Sequence, residues 1–216
     1  MELKSDKGTI ILDDSVNPVY HGGASHIFRS DGVLLKVFHL VDGKSMSVLS
    51  EDNFDLISKI KHDNFIDLIE RYHRVPKTSD FVEAYTYHEI VGKTYEFMEC
   101  DTEFCIDQLN KLLTLVDYFS ELGIKISDVS AENTVVLENR IVLIDPDLYV
   151  YVGTSKNVTS FNRNQLLFLI LSYFYSYTGT LVPGIIDDSV DKENPIDVIA
   201  KKLSPYKRPI DYVKNR

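Results

Sequence analysis

Three polar residues, Asp128, Asn133 and Asp145, stand on the connections around two short apolar runs, residues 134–137 and 141–144. A carboxylate followed by an amide five residues later can put a proton acceptor and a metal ligand on one loop. If the two runs pair as a hairpin, the second carboxylate can meet the same metal from the neighbouring strand end. Hard oxygen donors of this kind suit Mg²⁺. Phosphoryl transfer from a nucleotide uses that combination, because its catalysis is mostly positioning and charge neutralisation.

The elements that must hold these residues follow from the pattern of apolar positions. The first third of the chain is β-rich, with strands predicted at 9–12 and at 19–21, the latter leading into Gly22-Gly23. Residues 26–29 and 33–38 flank Ser30-Asp31-Gly32, and an Asp-Gly between β-type runs is a strong hairpin signal. Ser50 as N-cap, with Glu51 and Asp52 in the first turn, predicts a helix over 50–61 that buries Phe54, Ile57 and Ile60. Strands at 65–72 and 81–90 follow, and residues 88–94, with Gly92, suit a linker. Beyond it, Ile106, Leu109, Leu112, Leu113, Val116, Phe119 and Leu122 form one helical stripe, with Gly123 at the C′ position. After the hairpin come a loop at 153–160, an almost wholly apolar helix at 162–177, a Pro/Gly/Asp-rich loop at 178–193, a helix at 195–203 and a basic tail. This order predicts an α+β fold of two lobes, residues 1–91 and 92–216, with a cleft between them.

The run Ile126-Ser127-Asp128-Val129-Ser130-Ala131-Glu132-Asn133, followed by Asp145-Pro146-Asp147, resembles the catalytic loop and metal-binding segment of the protein-kinase-like superfamily. The resemblance extends over residues 19–177. It implies a bilobal kinase-like fold, with a β-rich N-lobe carrying one helix and a truncated helical C-lobe, and it implies ATP and Mg²⁺ as cofactors. Asp128 then takes the role of the base, and Asn133 and Asp145 those of metal ligands. Gly22 and Gly23 occupy the place of the glycine-rich loop, and Lys36 is similar to the lysine that pairs with the α- and β-phosphates. The adenine would lie against the linker at Glu89 and Ile90. Asn53 stands where the family places the glutamate that holds the lysine, so Glu51 or Asp55 would have to substitute.

The chain also departs from the family. Ile126-Ser127 replaces His-Arg, Ser130 replaces a lysine, Pro146-Asp147 replaces Phe-Gly, and the activation segment is short with no Ala-Pro-Glu after it. The loss of the arginine removes the partner of an activation-loop phosphate, so activity would be constitutive or controlled by a protein docked on the 50–61 helix. The resemblance implies a minimal bacterial or viral kinase phosphorylating a protein hydroxyl. It leaves open a pseudokinase acting as a regulatory protein-binding module and a small-molecule kinase, for which Asp145-Pro146-Asp147 is compatible.

Composition narrows the partners. Of 216 residues, 44% are hydrophobic, enough to bury a core, and the net charge is −10. That charge opposes nucleic acid or an anionic membrane as a general partner. The basic cluster Lys201, Lys202, Lys207 and Arg208 reads as a solvated helix face and tail. Residues 166–177 are apolar but too short to cross a bilayer, so no membrane span is expected. The two cysteines, Cys100 and Cys105, make no disulfide framework, and no apolar leader follows the charged N-terminus. A cytoplasmic setting is expected, or a host cell for a viral or secreted protein. His21, His26, His39, His62, His73 and His88 lack metal-ligand spacing and read as structural.

Overall fold

Asp31 and Gly32 both take left-handed backbone, φ 48° and 75°, and this tight turn joins β4 (Ser25–Ser30) to β5 (Val33–Phe38). In the computed structural model, which describes residues 1–13, 15–180, 184–185 and 194–215, that hairpin belongs to an N-terminal unit, Met1–Val91. The fold is of the mixed α+β type. Around the hairpin lie β1 (Glu2–Lys4), β2 (Thr9–Ile11), β3 (Tyr20–His21), the small pair β6 (Leu40–Val41) and β7 (Lys44–Ser45), α1 (Glu51–Ile57), β8 (Leu68–Arg74) and β9 (Ala84–His88). Seven strands make one antiparallel sheet in the order β2-β1-β8-β9-β5-β4-β3.

Alternation along β5 divides the sheet into two faces. Leu35 and Val37 are buried with Leu3, Tyr72 and Ala84 in one cluster. Lys36 and Phe38 point the other way, where Phe38, Phe54 and Tyr85 meet ring to ring at 5.9–6.1 Å. Glu83, fully buried, accepts from the backbone N–H groups of Arg74 at 2.8 Å and Thr78 at 3.2 Å, closing the β8–β9 connection.

Three expectations for this unit need correction. The helix read over 50–61 ends at Ile57: the Ser58 hydroxyl donates to Asp55 O at 3.3 Å, and the Ile60 N–H to Ile57 O at 3.0 Å. Such i→i−3 bonds tighten and terminate a last turn. Ile60 is nevertheless buried, so the apolar spacing outlasts the helix. The strands read at 65–72 and 81–90 begin about one turn later, at Leu68 and Ala84, although Phe65, Ile66 and Val82 are buried. Strand β1 carries no alternation long enough to announce it.

In the C-terminal unit, Gly92–Arg216, α2 (Thr102–Glu121) and α3 (Lys156–Thr178) pack together. Between them in sequence come β10 (Ile124–Lys125), β11 (Thr134–Val136), β12 (Ile141–Leu143) and β13 (Val150–Tyr151). Helices α4 (Pro195–Leu203) and α5 (Pro209–Lys214) follow. Gly123 has φ 73°, and a Cβ there would lie 2.7 Å from the Gly153 carbonyl carbon, so both conformation and space require glycine. Helix α3 starts at Lys156, where a loop was expected, because Ser155 caps it by accepting from the Val158 N–H. The basic tail is helical from Pro209, and Asp211 accepts from the Arg208 N–H at 3.2 Å. The apolar character of α3 does not bury all of it: Phe168 and Tyr175 are 58% and 53% exposed. The loop read over 178–193 falls largely outside the described residues.

Arg163 on α3 grips Asp117 on α2 with two bonds of 2.8 Å, both side chains about 30% exposed. Partial solvent screening limits such a pair, even a bidentate one. Replacing Arg163 with Ala is expected to destabilise the protein by about 1 kcal/mol, read as a lower urea midpoint at unchanged slope.

Candidate functional site

Asp128, Asn133 and Asp145 all lie in the C-terminal unit, around the β11–β12 hairpin. The Asn133 side-chain amide donates to Asp128 twice, to its backbone O at 2.8 Å and to its carboxylate at 2.9 Å. Donation by Nδ2 turns the amide oxygen away from Asp128, which leaves that oxygen as an acceptor or cation ligand. The Ile144 N–H donates to the Asn133 carbonyl at 2.9 Å, tying the loop to the strand end that carries Asp145. Asp128 and Asp145 both have left-handed backbone, φ 60° and 63°. Non-glycine residues held there cost about 1–3 kcal/mol unless the surroundings enforce them, and such positions cluster at functional sites.

Tyr149 reports that the two carboxylates share one neighbourhood. Its phenol is pushed above its ordinary range first by burial, then by the charges of Asp145 and Asp128. Pro146 is buried and opens a single 3-10 turn, Pro146–Leu148, immediately after Asp145. Proline fixes φ near −65°, so the chain leaves the carboxylate in one direction.

The loop is anchored from α3, which sequence reasoning missed. Asn162 is fully buried: its Oδ1 accepts from the Ile126 N–H at 2.9 Å, and its Nδ2 donates to Ile124 O at 2.8 Å and to Ser120 Oγ at 2.9 Å. Two turns or more along the helix, Ser172 Oγ accepts from the Ala131 N–H at 2.6 Å, and the Tyr173 hydroxyl donates to Thr134 Oγ1 at 2.9 Å. From α2, Gln108 accepts from the Ile141 N–H at 3.0 Å and fixes the start of β12. No signal in the sequence singles Asn162 out, because it stands in a polar run with Ser160, Arg163, Asn164 and Gln165, although a buried amide must be fully bonded.

The remaining candidates belong to the N-terminal unit. Lys36 sits on β5, opposite Ile27 and Tyr85, and is 5% exposed. Its ammonium lies 5.5 Å and 5.9 Å from the centres of the Phe38 and Tyr85 rings. Glu51 and Asp55, the acids expected to substitute for the missing glutamate, both meet β8. Asp55 binds Arg71 through two bonds of 3.0 and 3.2 Å, and Glu51 reaches His73 and Lys77 at 3.1 and 3.2 Å.

Gly22 and Gly23 form the β3–β4 turn, but the Gly22 N–H donates to Ser25 O at 2.8 Å rather than outward. A Cβ at Gly22 would come within 3.2 Å of that oxygen, whereas one at Gly23 would meet open space. The Glu89 N–H donates to Gly32 O at 2.9 Å, and its carboxylate pairs with Arg29 at 2.7 Å. Ile90 follows it, half-buried, beyond the end of β9. The sequence did not reveal that His21, His26 and His39 converge beside the glycine turn, with ring centres 4.7 and 4.4 Å apart. They meet edge to face, with His21 Nδ1 and His26 Nε2 3.4 Å apart. Burial, then the neighbouring His39 and His21, lowers the His26 pKa. Among the described residues, no three His, Cys, Asp or Glu side chains are arranged to hold a metal ion, and no helix is long and apolar enough to cross a membrane.

Comparison with family models and with curated proteins finds no match to this chain.

Proposed function

We propose that this chain is an ATP- and Mg²⁺-dependent phosphotransferase of the protein-kinase-like type, with a bilobal kinase-like fold, acting on a protein hydroxyl. The observation that carries this reading is the Asp128–Asn133 pair on one loop, tied through Ile144 to the strand end bearing Asp145. Asn133 Oδ1 and the Asp145 carboxylate would hold Mg²⁺. Two oxygen donors fit that ion, which keeps several waters and takes the rest of its ligands from substrate phosphates. When bound, the metal supplies charge neutralisation at the phosphates. Asp128 orients the acceptor hydroxyl and takes its proton at the carboxylate oxygen not bonded to Asn133. In the N-terminal unit, Lys36 contributes the cation for the phosphates, and Gly22-Gly23 a turn close enough for backbone contact. Adenine contact falls to Glu89 and Ile90 through backbone groups other than the Glu89 N–H.

A pseudokinase acting as a regulatory protein-binding module is the second reading. It is favoured by the engagement of the Gly22 and Glu89 N–H groups within the protein and by Ser130, which offers no cation at the transferring group. The enzymatic reading requires nucleotide binding. A ligand that binds only the native state at a hundredfold excess over Kd stabilises it by about 2.7 kcal/mol. Thermal melts with ATP–Mg²⁺ are therefore expected to rise by about 5–10 °C for a chain of this size. Lys36→Met, measured against its own ligand-free melt, is expected to shrink the rise. A folded protein with no shift at millimolar nucleotide would remove the enzymatic reading and leave the regulatory module.

A further inference from the structure

Cys100 and Cys105 straddle the start of α2. Asp101 is the N-cap, its carboxylate accepting from the Glu103 N–H at 2.9 Å, which makes Cys100 the N′ residue and Cys105 the N4 residue. Side chains at N′ and N4 fold over the first helical turn onto each other, a contact apolar residues ordinarily make. Here both positions carry thiols. Their other bonds go to consecutive carbonyls: Cys100 Sγ donates to Glu96 O and Cys105 Sγ to Phe97 O, each at 3.4 Å. Cys105 is fully buried, and Cys100 is half-exposed.

We propose that Cys100 and Cys105 form an oxidisable dithiol, in which a hydroperoxide oxidises Cys100 and Cys105 then closes a disulfide across the α2 N-cap.

The two sulfurs are not equivalent. The Cys105 hydrogen bond holds the Cys100 thiol below its ordinary pKa, against burial and the charges of Glu99 and Glu96. The same contact, with burial, pushes the Cys105 thiol up. Cys100 is thus both the accessible sulfur and the better thiolate, and the first turn of α2 beside it further favours a negative charge. In the first step the Cys100 thiolate attacks the peroxide. The O–O bond breaks, the sulfur loses two electrons to form a sulfenic acid, and hydroxide leaves. In the second step Cys105 attacks the Cys100 sulfur. The S–S bond forms, the S–O bond breaks, and the leaving oxygen takes the Cys105 proton to depart as water. Overall two thiols and one hydrogen peroxide give one disulfide and two waters. The chain has no third cysteine to compete.

The test treats the folded full chain with hydrogen peroxide and reads the tryptic fragment 94–111, which contains both cysteines. Loss of both thiols, with the fragment lighter by two hydrogens, is expected. In Cys105→Ser, Cys100 is expected to stall as a sulfenic acid trapped by dimedone. In Cys100→Ser, Cys105 is expected to remain a thiol. A disulfide-linked dimer, sulfinic acid on wild-type Cys100, or both thiols surviving while glutathione in the same tube is oxidised would each overturn the proposal. Equal oxidation of the two single variants would do the same. The wild-type measurement needs no substitution, so an unstable variant does not remove the test.

Discussion

Asp145→Asn is expected to lower phosphotransfer by about 10³-fold or more while leaving the melting temperature close to that of the wild type. A metal-held phosphate contributes several kcal/mol to the transition state, and each ~1.4 kcal/mol is tenfold in rate. Asparagine has nearly the same shape and tolerates left-handed backbone as aspartate does, so φ 63° at position 145 is kept. What disappears is the anionic oxygen. Asp128→Asn is expected to lose about 10²- to 10⁴-fold, the range of general-base work. The measurement is transfer from labelled ATP to a panel of protein acceptors and to the chain itself. Wild-type rates in Asp145→Asn would sink the metal assignment. If wild type and variant are equally inert but both melt higher with nucleotide, the non-turnover reading replaces the enzymatic one.

Features written in contiguous residues were legible in advance. The β4–β5 hairpin is specified by Asp31-Gly32 within the turn, and α4 by Asn194 and Pro195, whose cap bond to the Ile196 N–H is 3.0 Å. The 134–144 hairpin also followed from its own apolar runs, with β11 and β12 each one residue shorter than read. The end of α1 was not legible, because Ile60 keeps helical spacing while lying outside the helix. There, burial and helix are separate facts that periodicity merges. The three-histidine contact depends on cross-strand register: His26 faces His21 across β3–β4, while His39 arrives from beyond the end of β5. No spacing rule along one element detects such a meeting.

The anchoring of the loop lay equally out of reach, since Ile126 and Asn162 are separated by a β-hairpin and a helix start. It leads to the second large effect. Asn162→Ala is expected to cost about 3–5 kcal/mol of stability. The substitution leaves the Ile126 N–H and the Ile124 carbonyl in the interior without the partner that now bonds both, and it deprives Ser120 Oγ of its donor. Each buried polar group so stranded costs about 1–3 kcal/mol. Asn162→Asp separates the parts of this loss. It keeps an acceptor for Ile126 but sets a second oxygen against the Ile124 carbonyl, so its urea midpoint is expected between those of wild type and Asn162→Ala. Ser172→Ala, which removes the acceptor for the half-buried Ala131 N–H, is expected to cost less than Asn162→Ala because water can reach that group. If Asn162→Ala shifts stability by under about 1 kcal/mol, as a surface substitution does, α3 is not what holds the loop. The left-handed backbone at Asp128, two residues beyond Ile126, would then need another source of constraint.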